Sequence, residues 1–316
     1  MKESRIIFFG TPAFSALQLS RLLENGFNVV AVVTSPDKPA GRGLQIQYSE
    51  VKKVASRFHL PILQPVSLKD EGFLNQLRTY EAEVFVVIAF RMLPPEVWKM
   101  PILGTFNVHA SLLPDYRGAA PINWAIVNGE TETGLTTFFL NERIDEGSII
   151  LQHKMSIGAD ETAGELHDRM ADEAWPLLQE TLRQITSGDL KCLPQDHSKA
   201  IHKAPKINRD HLRIVWNKPI NQIINQIRGF SPKPGAFTLL LHQSGKNMEM
   251  RILKANILSD RLETEPCKVL VWNKQLVVSH PDGLINLLEV QLPGKNVLKA
   301  SEFIKGFRDD GGWKVR

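Results

Sequence analysis

Asn107 and His109 stand two positions apart in Thr105-Phe-Asn-Val-His109, a short apolar run. Side chains at i and i+2 of a strand share a face, so the amide and the imidazole should project together while Val108 packs behind them. An amide donates hydrogen bonds to developing charge, and an imidazole can carry a proton either way near neutral pH. Further along, Asn141-Glu-Arg-Ile-Asp-Glu-Gly147 offers Asp145, a carboxylate able to orient His109 and to favour its protonated form. The residue types alone leave blander readings open. An Asn/His pair in a strand is more often a satisfied buried network, and an Asp-Glu-Gly loop more often an ordinary turn.

Such a constellation needs a strand end and neighbouring loops to hold it. The first half of the chain alternates short apolar runs with helical patterns, the signature of an α/β, Rossmann-like, mostly parallel sheet covered by helices. Strands are predicted at Arg5–Phe9, Asn28–Thr34, Pro61–Gln64, Val84–Ala89, Thr105–His109 and Leu135–Leu140. Between the first two, Thr11 is the expected helix N-cap with Pro12 in the first turn, and Gly26 is the expected stop. Open parallel sheets bind ligands beyond the carboxyl ends of their strands, so chemistry belongs in the loops there. The first such loop, Gly10-Thr-Pro, lacks the other glycines of a GxGxxG turn, which argues against a nicotinamide dehydrogenase.

A helical stretch from Glu161 to about Thr186 breaks at Ser187-Gly-Asp189, and residues 189–208 carry Pro194, Pro205 and scattered Lys and His with no period. From Arg209 the texture turns β-rich, with strands predicted at Ala236–His242, Glu249–Ile257, Lys268–Trp272, Gln275–Ser279 and Leu284–Val290 and a helix at Ile220–Gly229. Five short strands and a helix fit a small OB-like barrel. The chain of 316 residues exceeds the size at which a single core stops growing. The expected organisation is therefore a domain at 1–188, a linker at 189–208 and a smaller β-barrel domain at 209–316.

Residues 1–188 hold 17 Lys+Arg against 22 Asp+Glu, a net of −5, whereas residues 189–316 hold 21 against 12, a net of +9. That split suggests a polyanion as partner of the C-terminal part, a solvated basic surface being the alternative. The longest apolar run, Val84 to Phe90, is far short of a membrane helix, and the opening residues read as a first buried strand and not as a signal peptide. Cys192 and Cys267 form no CxxC and the histidines no HExxH, so neither a disulfide framework nor a metal site is expected. A cytoplasmic protein, working as a monomer away from membranes, is the expectation.

Asn107 and His109, the Ser111-Leu-Leu-Pro114 run, Tyr116-Arg-Gly-Ala-Ala-Pro121 and the later Asp145-Glu-Gly resemble the signature of the 10-formyltetrahydrofolate transferases. Phe8-Phe-Gly-Thr-Pro12 and Ser35-Pro-Asp-Lys-Pro-Ala-Gly-Arg-Gly43 resemble the branch of that family whose acceptor is initiator methionyl-tRNA, as does a length that adds a basic β-domain. Two departures stand out: Asp115 where the family often has a basic residue, and Phe90-Arg-Met-Leu93 in place of a Tyr-Gly start.

The resemblance implies formyl transfer from 10-formyltetrahydrofolate, the donor substrate, to the amino group of methionine on its tRNA, with Asn107, His109 and Asp145 as the catalytic set. It implies that the pterin meets the loops of Phe90, Arg91, Met92 and Leu93 and of Asn141 and Ile144. Ser111, Leu112, Leu113 and Pro114 would flank the folate. It further implies that Arg42, between Gly41 and Gly43, contacts the tRNA acceptor end.

Overall fold

The computed structural model describes residues 4–40, 45–260 and 262–316. The chain divides into two compact units. Segments up to residue 118, 134–155 and 168–203 make the first, and 119–133, 156–167 and 204–316 make the second.

The first unit is built on a sheet of β1 (Ile6–Gly10), β2 (Val29–Val33), β3 (Ile62–Leu63), β4 (Val84–Ile88), β5 (Thr105–His109), β6 (Glu132–Phe139) and β7 (Ile149–Ser156), in the order β7-β6-β5-β4-β1-β2-β3. Strands β1 to β5 pair in parallel, as apolar runs alternating with helices require. β6 then pairs antiparallel with β5, setting Phe138 opposite Asn107 and Thr136 opposite His109. The sheet is thus mixed, and β7, whose Gln152-His-Lys154 hides an edge-strand period, was not among the predicted strands.

β1 reads as an unbroken apolar run because both its faces are covered: Ile6, Ile7, Phe8 and Phe9 are all fully buried. Ile7 and Phe9 pack with Val33, Phe85 and Val87 and with Phe73, Leu74 and Leu77 of the helix Glu71–Thr79. Each such side chain stabilises the fold by roughly 1.5–3 kcal/mol. The helix α1 (Ala13–Glu24) follows β1, but Pro12 and not Thr11 occupies its N-cap, with no side-chain bond to the first turn. The helix starts one residue late because it is pressed onto the strand end. A Cβ on Gly10 would come within 2.6 Å of Ser15 Cβ, and the Ser15 hydroxyl donates to the Ile88 carbonyl at 2.6 Å. Gly26, at φ 74°, ends the helix in the left-handed turn expected of it.

In the second unit β8 (Ala236–His242), β9 (Asn247–Leu258), β10 (Val269–Trp272), β11 (Gln275–His280), β12 (Gly283–Gln291) and β13 (Trp313–Val315) form an antiparallel sheet ordered β10-β11-β12-β9-β8-β13. The helix Ile220–Gly229 lays Ile220, Ile223 and Ile227 into a core with Leu240, Ile252, Leu276 and Ile285. β13 is too short to announce itself by alternation, yet it supplies the buried Trp313 and Val315. An isolated bridge, Lys268 to Lys314, joins the outer strands. The long helix α2 (Ala163–Ser187) opens with a reciprocal cap: the Thr162 hydroxyl accepts from the Glu165 N–H at 3.3 Å, and the Glu165 carboxylate accepts from the Thr162 N–H at 2.8 Å. Among the described residues no helix is long and apolar enough to cross a membrane.

Candidate active site

The parallel order brings the carboxyl ends of β1, β2, β4 and β5 to one edge of the sheet, and the loops that follow them carry most of the residues singled out above. Asn107 and His109 lie on β5 with Val108 buried behind them, the disposition that period-two spacing predicts. His109 is 6% exposed, its ring edge-on to Phe138 at 6.4 Å. His109 Nε2 is 3.0 Å from the Tyr116 carbonyl oxygen. A carbonyl oxygen only accepts, so Nε2 bears a hydrogen and donates it. That leaves Nδ1 directed at Asp145, 3.8 Å from Oδ2. The separation is an ion-pair distance, longer than a hydrogen bond.

Asp145 itself sits at φ 55°, in the left-handed region where aspartate is among the better tolerated side chains. Its Oδ2 also accepts from the Gly118 N–H at 3.0 Å. Asn107 Oδ1 is buried without a hydrogen-bond partner. An unmade bond of this kind costs about 1–3 kcal/mol, which makes the open amide a candidate contact for a ligand atom.

The Ser111–Pro114 run is held by an internal network. The Leu113 N–H donates to Thr136 Oγ1 at 3.1 Å, Thr136 Oγ1 donates to the Ser111 carbonyl at 2.7 Å, and Gln152 Nε2 donates to the Leu113 carbonyl at 2.8 Å and to Thr136 Oγ1 at 3.0 Å. The Ser111 hydroxyl is committed to the Asp115 carbonyl at 2.7 Å, and the Leu113–Pro114 peptide is cis. Leu112 lies so close over β6 that a Cβ on Gly134 would meet it at 2.5 Å.

Of the loop after β4, Phe90 packs edge-on against Phe9 and Leu93 is buried. Arg91 turns to the Pro65 and Val66 carbonyls at 2.7 and 2.9 Å, and Met92 stays 74% exposed. In the other loop Asn141 Oδ1 accepts from the Arg143 N–H at 2.9 Å, and Ile144 is 63% exposed. Each loop therefore presents one exposed apolar side chain. Arg42 lies outside the described residues. Lys38–Ala40 and Gln45–Gln47 pair as a two-stranded ribbon. The base of that ribbon is fixed by Lys52, bonded to Asp37 and to Gln64 Oε1, and the Lys52 hydrogen bond first, then Gln64, holds the Asp37 carboxyl below the usual carboxylate range.

Thr136 and Gln152 were not singled out from the sequence, and Tyr116 entered only as the first residue of a family motif with no role of its own. Tyr116 acts through its main chain, and the two polar side chains reach the site only through pairing across β5, β6 and β7. No local spacing signals either.

The profile of the formyl transferase family matches residues 4–182, and that of the formyl transferase C-terminal domain matches residues 206–308. A methionyl-tRNA formyltransferase of Bacteroides fragilis is 44% identical over 319 residues, covering 100% of this chain and 98% of its own. The chain belongs to the methionyl-tRNA formyltransferase family. A further methionyl-tRNA formyltransferase, from Flavobacterium johnsoniae, is 44% identical over 306 residues and covers 97% of each chain. Among solved structures, the sugar 3N-formyl transferase WlaRD matches at a TM-score of 0.66 with 20% identity over 93% of this chain and 99% of that one. HypX from Aquifex aeolicus, in complex with tetrahydrofolic acid, matches at 0.66 with 19% identity over 97% of this chain and 48% of its own. At such identities the likeness shows the fold alone.

Proposed function

We propose that this protein transfers the formyl group of 10-formyltetrahydrofolate to the α-amino group of methionine on initiator tRNA, giving N-formylmethionyl-tRNA for translation initiation. Membership of the methionyl-tRNA formyltransferase family, over the whole length of the relatives, is the observation that carries the reading.

A free α-amino group has a pKa of about 7.7–8.0, so the nucleophile is in part neutral near pH 7 and needs little activation. The harder task is to meet the charge that grows on the formyl oxygen as the amine adds. The open amide of Asn107 is suited to it, because a half-turn about the last side-chain bond presents N–H where Oδ1 now lies. His109, with Nε2 engaged by Tyr116, acts through Nδ1 as the second donor, and the Asp145 carboxylate faces that nitrogen. One such donor is typically worth about 2.7–4 kcal/mol in the transition state. In this reading Asp145 relays the amine proton through water toward the folate nitrogen that leaves.

The exposed Met92 and Ile144 support placing the pterin against the loops of Phe90–Leu93 and Asn141–Ile144, and the braced Ser111–Pro114 run supports a folate-flanking wall. Backbone recognition there tolerates the departure at Phe90-Arg91. The division into a catalytic domain at 1–188, a linker at 189–208 and a tRNA-binding domain at 209–316 follows the charge split of −5 and +9. The bridge between Lys268 and Lys314 and the bond from the Val315 N–H to the Cys267 carbonyl at 2.9 Å support closure of the second sheet into an OB-like barrel. Arg42 is assigned to the tRNA acceptor end. The enzyme is taken to work as a monomer in the cytoplasm, where initiator tRNA is used.

Labelled formyl transfer from 10-formyltetrahydrofolate, offered initiator Met-tRNA, glycinamide ribonucleotide and an amino-sugar nucleotide in parallel, tests the proposal. Only the tRNA should become labelled. Labelling of a small amine in its place would overturn it.

A further inference from the structure

Gln195 lies in the stretch whose sequence shows no period, yet it is 7% exposed and all of its hydrogen-bonding capacity is used. Its Nε2 donates to the Asp145 carbonyl and to the Gly147 carbonyl, each at 2.8 Å. Its Oε1 accepts from Arg117 Nε at 3.0 Å and from Arg117 Nη2 at 2.5 Å. The assignment of the amide atoms is fixed by chemistry, since carbonyls can only accept and a guanidinium can only donate. Arg117 is tied in turn to Glu146 at 3.5 Å, so all three residues Asp145, Glu146 and Gly147 are gripped from one side.

The grip matters because of what Asp145 must do. At φ 55° its backbone is in a sparsely populated region, which persists only where surrounding contacts hold it. In that conformation its carboxylate lies 3.0 Å from the Gly118 N–H and 3.8 Å from His109 Nδ1. Gly147 has no slack either, because a Cβ there would fall 1.6 Å from the Phe139 carbonyl oxygen. The turn at Asp145-Glu-Gly147 is thus restrained by the buried amide of Gln195 together with the Gly118 N–H and the Arg117 guanidinium.

We propose that Gln195, braced by Arg117, is a positioning residue of the formyl transfer: by donating to the Asp145 and Gly147 carbonyls it holds the Asp145 carboxylate against His109. The inference rests on the proposed role of Asp145, and the stretch counted as a linker becomes part of the active-site scaffold.

Two variants of the full-length protein test it. Gln195→Leu removes every bond, whereas Gln195→Glu keeps the shape and the partner of Arg117 but has only acceptors to offer the two loop carbonyls. Both should lower kcat by about 10- to 100-fold, the cost of a displacement on the order of 1 Å, while the KM for 10-formyltetrahydrofolate stays within about threefold. Amide hydrogen exchange at Gly118, whose N–H bonds Asp145, should quicken in both by at least about tenfold. Gln195→Glu is the deciding variant if Gln195→Leu does not fold. Wild-type kcat and unchanged Gly118 exchange in Gln195→Glu would overturn the proposal. The exchange measurement needs no acceptor, so it still decides the role of Gln195 if wild-type protein fails to formylate Met-tRNA, a result that would sink the functional reading alone.

Discussion

The Tyr116 carbonyl oxygen, 3.0 Å from His109 Nε2, determines which imidazole nitrogen is free for chemistry. Tyr116 holds that position at φ 57°, and its own N–H donates to the His202 carbonyl at 3.0 Å. With Nε2 occupied, Nδ1 faces Asp145 and is the ring nitrogen left for the proton exchange proposed above. The neutral ring should therefore be the Nε2–H tautomer, which nitrogen chemical shifts can read. A neutral ring protonated on Nδ1 would contradict this arrangement.

Asn107→Ala and His109→Ala should each reduce kcat by about 10²–10³-fold, with folate affinity nearly unchanged, as expected of groups that act mainly in the transition state. Single-turnover rates and folate titration separate the two effects. A variant that keeps near wild-type turnover would remove its residue from the catalytic set.

Replacing Asp145 by Asn keeps the size of the side chain and removes the charge 3.8 Å from His109 Nδ1. Transfer should slow by at least about tenfold, with folate affinity nearly unchanged. Single-turnover rates and folate titration measure the two, and a wild-type rate in Asp145→Asn would refute the pairing.

Gly147→Ala cannot be accommodated without movement, since its methyl would lie 1.6 Å from a main-chain oxygen of Phe139. Because backbone cannot yield as a side-chain tip can, the loop with Asp145 must shift. Activity should fall by at least about tenfold, with a lower Tm. Wild-type activity in Gly147→Ala would mean that the loop geometry is not needed for catalysis.

The Glu165 carboxyl at the start of α2 is held below the usual carboxylate range by the Thr162 N–H first and the Thr162 hydroxyl second. A depressed folded-state pKa contributes stability that is present above the unfolded value and is lost as pH falls through the folded one. Glu165→Gln should accordingly melt lower than wild type at pH 7, and the gap should close as pH is taken below about 4. Thr162→Ala, which removes the cap itself, should cost about 1 kcal/mol. A Glu165→Gln gap that is the same at both ends of the range would show that the carboxylate charge plays no part.

If the basic residues after 188 meet phosphates, tRNA affinity should fall steeply between about 50 and 200 mM salt, with a slope of about −0.7 to −0.9 per phosphate neutralised. Arg42→Ala should raise the KM for tRNA far more than it changes folate binding. Salt-independent binding would deny the C-terminal part its assigned role, and an unchanged KM would leave Arg42 a solvated loop residue.

Much of the secondary structure is local and was legible in the sequence. Thr105–His109, Ala236–His242 and the helix Ile220–Gly229 begin and end at the predicted residues, because side-chain period and flanking turn residues act within a few positions. The shared face of Asn107 and His109 follows from the same period. What the tertiary structure decided are relationships between distant segments. The antiparallel direction of β6, the edge strand β7 and the short β13 depend on which partner is available, and α1 starts after Pro12 because of packing between Gly10 and Ser15. The approach of Asp145 to His109 requires β6 to run beside β5, a left-handed turn at Asp145, and the amide of Gln195 from a stretch with no pattern. Hydrogen bonds between residues far apart in sequence leave no period to read, since their geometry exists only after the sheet has brought the segments together.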